Sequence, residues 1–336
     1  MRSQFLLTRK HWDEAIFTFF NEFNVYAPIQ KWDFIDYMLI DEKNLNAVIY
    51  NHPKPATPLK SFFLPVKQNV NLKQEKRDKI IMGVPACDLK GLELLDEIYL
   101  DKDLPDTVYQ YQREHTILIG TDCHQILEHC HCTTYGTDPF PNSMQDLTLN
   151  SIDDMIILQS FTEKGEKLLS KINGYNKTTE PPQDILDTIN QSRKSIVDEL
   201  NQKNKLLPDY KETGNLVKHS NGTVWKKFAE NCVSCGACAT SCPTCTCFLF
   251  IDRPGFEKVR NIDACQFPGF ERVAAGEDPL HLLINRFKNR YMCKYVLKTA
   301  KYNSIACTGC GRCIEACIGK INKNELFLEL KEKEKV

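Results

Sequence analysis

One run of residues constrains this chain more than any other: Cys232-Val-Ser-Cys235-Gly-Ala-Cys238-Ala-Thr-Ser-Cys242-Pro243. Cysteine recurs after three, three and four positions. Three thiolates on one tight loop can hold three irons of one cubane iron–sulfur cluster. The fourth, a helical turn further on, points away and in two-cluster proteins ligates the other cluster. Cys307-Thr-Gly-Cys310-Gly-Arg-Cys313-Ile-Glu-Ala-Cys317 repeats the run, with Gly311 in the place of Gly236. The spacing therefore predicts reciprocal wiring: Cys232, Cys235 and Cys238 with Cys317 around one [4Fe–4S] cluster, and Cys307, Cys310 and Cys313 with Cys242 around a second. Gly236 and Gly311 are expected at positive φ, where the loop amides can approach an anionic cluster. Zinc and disulfides are the alternatives, but zinc sites usually pair two Cys-x-x-Cys knuckles, and a three-plus-one run occurring twice fits cubanes better.

The chain has 336 residues, 42% of them hydrophobic and 26% charged, which suits two ordinary domains and excludes disorder as the starting assumption. Its sixteen cysteines come without a secretory pattern, so a cytoplasmic, reducing location with thiolates serving metal is expected. The longest apolar runs, such as Cys247 to Ile251, fall far short of the roughly 20 residues that cross a bilayer. A net charge of −1 and a pI near 6.7 leave no electrostatic footprint for nucleic acid. No G-x-G-x-x-G after a strand and no G-x-x-x-x-G-K-[ST] occurs, so any flavin or NAD(P) is expected on another chain.

Residues 1–170 read as an α/β domain with a mixed sheet. An amphipathic helix is expected over His11 to Phe23, strands over Val25 to Pro28 and Phe34 to Ile40, then strand Lys79 to Val84 feeding helix Leu89 to Leu100. Tyr109 to His115 leads into strand Thr116 to Ile119, and Asp154 to Leu158 is a further strand. If the strands ending before Cys87 and Cys123 share one sheet, both cysteines leave its carboxyl edge, where α/β sites form, and Cys130 and Cys132 lie on the same loop as Cys123. That quartet is a candidate third cluster. Zinc competes for it, since His124, His129 and His131 are interleaved, and so does a metal-free set of buried thiols.

Residues 171–220 are expected to form a helical connector outlined by Ile185, Ile189, Ile196 and Leu200. Residues 221–325 are expected to be an all-α, α-helical ferredoxin-type domain holding the two clusters, and 326–336 a charged tail. Between the motifs a helix is expected to start near Pro279. Leu283, Phe287, Tyr291 and Tyr295 would face inward, and Arg286, Arg290 and Lys294 would form a solvated basic face. Cys245, Cys247, Cys265 and Cys293 remain, too loosely spaced to separate a further metal site from ordinary buried thiols.

Longer strings carry a resemblance: Ala86-Cys87-Asp88 with Leu95-Asp96 and Tyr99-Leu100, Cys130-x-Cys132 before Gly136-Thr137, Cys242-Pro-Thr-Cys245-Thr-Cys247-Phe248, Ala264-Cys265 with Pro268-Gly269-Phe270, and Cys307-x-x-Cys310-Gly-Arg-Cys313. In these, over most of its length, the chain resembles one family of iron–sulfur subunits, those of the sulfhydrogenases (their beta subunits) and of anaerobic sulfite reductase. The resemblance implies an α/β domain joined to an α-helical ferredoxin domain. It also implies a role in passing single electrons between two partner subunits, a reductase that binds flavin and NAD(P) and a catalytic oxidoreductase. A cluster held by four thiolates has no open iron position, which fits transfer better than a substrate site of its own. Two other functions stay open at this stage: an N-terminal domain that itself binds flavin or substrate, and a structural zinc or assembly protein.

Overall fold

The computed structural model describes residues 3–70, 77–175, 179–220 and 222–333. Strand β1 (Gln4–Thr8) runs into helix α1 (Arg9–Phe19), whose first turn is capped by the Thr8 hydroxyl accepting from the His11 amide. Strands β2 (Phe23–Lys31) and β3 (Phe34–Leu39) form a hairpin, and β4 (Lys67–Asn69) stands apart from them. Then β5 (Asp78–Pro85) passes into α2 (Ala86–Tyr99), and α3 (Thr107–Glu114) into β6 (Thr116–Thr121). A second hairpin, β7 (Leu147–Ile152) and β8 (Met155–Ser160), is followed by α4 (Glu163–Tyr175), α5 (Gln183–Lys203), α6 (Tyr210–His219) and α7 (Gly222–Ala229). The remainder comprises α8 (Ala237–Thr240), β9 (Phe248–Arg253), β10 (Glu257–Ile262), α9 (Leu283–Met292), a π-helical turn (Cys293–Leu297), α10 (Lys298–Tyr302), α11 (Arg312–Glu315) and α12 (Lys323–Lys333).

Seven strands form one mixed sheet in the order β1-β8-β7-β6-β5-β2-β3. The inner strands β2, β5, β6 and β7 run parallel and the outer neighbours antiparallel. Trp12, Ile16 and Phe19 of α1 with Leu168, Leu169 and Ile172 of α4 cover one face, meeting Ile80, Met82 and Ile119. Leu89, Leu92 and Leu95 of α2 cover the other, meeting Ile81, Val84 and Leu118. Strict alternation would put Val84 beside Ile80 and Met82. A register shift between Met82 and Val84, with Gly83 at φ 69°, turns it to the α2 side. Because β5 and β6 are parallel and Pro85 pairs with Thr121, Cys87 and Cys123 leave the same sheet edge.

Several expectations are corrected. The C-terminal region is not all helical: β9 and β10 form an antiparallel hairpin that β4 extends to a three-stranded sheet. Its basis is the β-prone run Phe248-Leu-Phe-Ile251 before the Pro254-Gly255 turn, with Gly255 at φ 82°. The basic row Arg286, Arg290 and Lys294 is buried, not solvated. Helix α9 starts at Leu283, leaving Pro279 outside it. The expected charged tail is helix α12 as far as Lys333, because Leu326, Phe327 and Leu330 bury themselves against Trp225, Phe287 and Tyr291; residues 334–336 lie outside the described part. The first helix also ends earlier than expected, with Phe17 half exposed and Phe23 in β2. The expected connector is more than a link, since α5 lies along the Cys130 loop and α6 buries Leu216 and Val217 in the C-terminal core. No helix among the described residues is long and apolar enough to cross a membrane.

Candidate metal centres

The two motif loops have the same local shape. Gly236 and Gly311 sit at φ 73° and 78° as the N-caps of α8 and α11, so each loop turns sharply into a single helical turn. Space as well as backbone angle demands glycine: a Cβ at Gly236 would lie 2.6 Å from Phe267 Cζ, and one at Gly311 2.7 Å from the His129 carbonyl oxygen. Gly311→Ala is therefore expected to cost about 1–3 kcal/mol, read as a lowered thermal midpoint, since the left-handed backbone alone costs a non-glycine residue about 1–2 kcal/mol.

A first cavity is lined by Cys232, Cys235, Cys238 and the sequence-distant Cys317, with Gln266, Arg290 and Tyr291. A second is lined by Cys242, Cys307, Cys310 and Cys313 together with Arg290, Lys294 and Lys323. Cys313 borders both, so the two lie wall to wall. Each cavity thus gathers the four cysteines expected to share a cluster, with Cys313 as a fifth at the edge of the first.

Buried cations face these sulfurs, and the sequence did not single them out as partners of the cysteines. Lys294 Nζ lies 2.9 Å from Cys242 Sγ and also donates to Thr244 Oγ1 (2.7 Å) and the Ala306 carbonyl (2.8 Å). Burial opposes charge on Cys307, but Lys323 and Lys294 outweigh it and hold that thiol below its ordinary value. Arg290 donates to the Cys238 carbonyl at 2.8 Å. The opposite balance holds where no cation dominates: burial, with neighbouring cysteines adding to it, pushes Cys238 up to about 11 and Cys310 up to about 12. Buried Cys238 and Cys310 thus resist ionising unless a cation joins them, a condition that the iron of a thiolate-ligated cluster would meet.

The N-terminal quartet also assembles. Cys87 opens α2 at the sheet edge, Cys123 follows β6, and Cys130 and Cys132 close the loop over them, each in the electrostatic field of at least one other. Burial and then Cys130 push Cys123 up to about 12. Lys54 Nζ lies 3.8 Å from Cys130 Sγ. This loop rests on the second motif: His131 donates its amide to the Gly309 carbonyl at 2.9 Å, and Cys130 Sγ is 3.9 Å from the Cys310 carbonyl. His131, one of the histidines interleaved with the quartet, is fully buried, with Nε2 2.8 Å from Lys323 Nζ and Nδ1 2.8 Å from the His129 carbonyl. Among the described residues no three His, Cys, Asp or Glu side chains close on one point as a single chelated ion needs. A cubane instead offers each thiolate its own iron. The last four cysteines lie on two elements that pack together: the hairpin, whose Asp263 amide donates to the Cys247 carbonyl at 3.0 Å, carries Cys245, Cys247 and Cys265 at its open end, and the turn that starts at Cys293 reaches Thr244 and Thr246 through Lys294 and Lys298.

Residues 231–321 match the family model of the 4Fe-4S dicluster domain, so the chain is a dicluster iron–sulfur protein carrying two [4Fe–4S] clusters. Over 326 residues it is 28% identical to the sulfhydrogenase 2 subunit beta of Pyrococcus furiosus, covering 92% of each chain. The match and the likeness both support the resemblance to the iron–sulfur subunits of the sulfhydrogenase beta type.

Proposed function

We propose that this chain is the electron-transfer subunit of a cytoplasmic multi-subunit oxidoreductase, relaying single electrons between two other subunits, one binding flavin and NAD(P) and one catalytic. The observation that carries this is contiguity: the two motif cavities share Cys313, and the Cys87 quartet rests on the loop that bears Cys310. In this proposal Cys232, Cys235, Cys238 and Cys317 hold one cluster, Cys242, Cys307, Cys310 and Cys313 the second, and Cys87, Cys123, Cys130 and Cys132 a third. A [4Fe–4S] cluster held by four thiolates supplies one-electron oxidation and reduction without an open iron position. The protein's own part is to exclude water and hold Lys294, Lys323, Arg290 and Lys54 against the sulfurs, so that added negative charge is met by fixed positive charge.

Cys317→Ala is the test. It is expected to degrade the cluster of Cys232, Cys235 and Cys238, seen as loss or conversion of one of two reduced-state paramagnetic signals, while the cluster nearer Cys317 in sequence persists. Loss of the Cys307 cluster instead would overturn the wiring. An anaerobically purified chain without iron or acid-labile sulfide would overturn the function.

A further inference from the structure

We propose that Cys245, Cys247, Cys265 and Cys293 hold a further [4Fe–4S] cluster, placed as a branch beside the other sites; this rests on the electron-transfer function proposed above. The hairpin builds three corners of the site. Phe248 pairs with Ile262, and one step outward the Asp263 amide donates to the Cys247 carbonyl at 3.0 Å. Cys265 follows two residues later and Cys245 two residues before Cys247, so the open end of the hairpin gathers all three. The fourth corner comes from the helix. The π-helical turn begins at Cys293; the next residue, Lys294, reaches Cys242 Sγ and Thr244 Oγ1, and Lys298 reaches Thr246 Oγ1, so the turn that carries Cys293 lies against the loop of Cys242 to Cys247.

The surroundings suit an anionic group. Lys298 Nζ donates to the Thr244 carbonyl (2.7 Å) and Thr246 Oγ1 (2.9 Å), and the buried Lys60 Nζ donates to the Cys245 carbonyl (3.1 Å), fixing the loop between Cys245 and Cys247 from two sides. Gln266 Nε2 lies 3.6 Å from Cys265 Sγ, close enough to donate to it. The quartet adjoins both motif sites: the Cys245 amide donates to the Cys242 carbonyl at 3.4 Å, and Gln266, which reaches Cys265 Sγ, lines the first motif cavity. Since the Cys87 quartet also meets the Cys242 site, through Cys130 and Cys310, that site becomes a junction with three neighbours. One electron leaving a reduced cluster there would reduce the branch cluster by one electron, with no proton or bond exchanged.

The test is iron, acid-labile sulfide and zinc per chain in the anaerobically purified full chain and in Cys265→Ala and Cys293→Ala. Each variant is expected to lose about four irons and about four sulfides with the signals of the motif clusters retained. Folded variants with unchanged iron, or the loss of about one zinc in place of iron, would overturn the branch site. Should both variants aggregate, Cys87→Ala decides: about twelve irons remaining supports the fourth site, and about eight overturns it. Wild-type chain with no iron would overturn the electron-transfer function itself, a distinct outcome.

Discussion

Arg312→Ala is expected to cost about 3–5 kcal/mol of stability and to strip iron from two sites at once, because removing one member of a buried ion pair strands the other. Arg312 and Asp88 are 2% and 0% exposed in their side chains, and the guanidinium grips the carboxylate at both oxygens, 2.6 and 3.0 Å. The remaining groups are satisfied: Arg312 Nε donates to the Pro55 carbonyl at 2.9 Å, and Asp88 Oδ2 accepts the Leu59 amide at 3.1 Å. Arg312 lies between Cys310 and Cys313 and Asp88 directly follows Cys87, so one ion pair pins a motif loop to the N-terminal quartet. Lysine cannot reproduce the two-pronged contact, so Arg312→Lys should fall between wild type and alanine. The check is the denaturant midpoint and iron content of the holoprotein, with Asp88→Ala/Arg312→Ala costing less than the sum of the single variants. Full iron and an unchanged midpoint in Arg312→Ala would refute it.

That pair also shows where the sequence was legible. Cysteine spacing is a local property, so the motifs and their glycines could be read, and a reciprocal grouping expected, before any fold was known. Two short apolar strands, each running into a cysteine, were likewise legible, whereas their parallel pairing came from the fold. Arg312 and Asp88 were visible only as members of recurrent strings, since nothing local says that residues so far apart in the chain meet. Arg286, Arg290 and Lys294 misled because charge on a helix normally faces water. They are buried because the surface beside the aromatic row is lined with cysteines and carbonyls, which only the tertiary fold reveals. The hairpin was hidden for a similar reason: Glu257-Lys-Val-Arg-Asn-Ile262 has too little apolar alternation to mark a strand, and its pairing with Phe248–Arg253 and Lys67–Asn69 makes it one. Helix α12 ends among charges, and its three buried apolar residues were outvoted by composition.

Lys294→Met is expected to lower the reduction potential of the Cys242/Cys307 cluster by on the order of 50–130 mV. Lys294 is buried, and the pull of Cys242 and Cys245 overcomes the cost of burial and holds its ammonium charged. A unit charge about 5–6 Å from the cluster centre is worth roughly 3 kcal/mol at an effective dielectric constant near 20. At 1.36 kcal/mol and 59 mV per tenfold for one electron, that is about 130 mV, an upper bound that the remaining cations reduce. The sign follows from charge: reduction adds a negative charge, so removing the facing cation destabilises the reduced state more than the oxidised one. Lys294→Gln separates the two contributions, since an amide can still donate toward Cys242 Sγ without the charge. A full drop in Met and Gln alike assigns the effect to charge, and a drop in Met alone assigns it to the N–H···S bond. Lys323, which acts on the same cluster through Cys307, should shift the same potential in the same direction when replaced by Met. Redox titration of the holoprotein followed by its reduced-state paramagnetic signals measures all three, and a potential that stays put or rises in Lys294→Met would show that this lysine only fills space and satisfies Thr244 and Ala306.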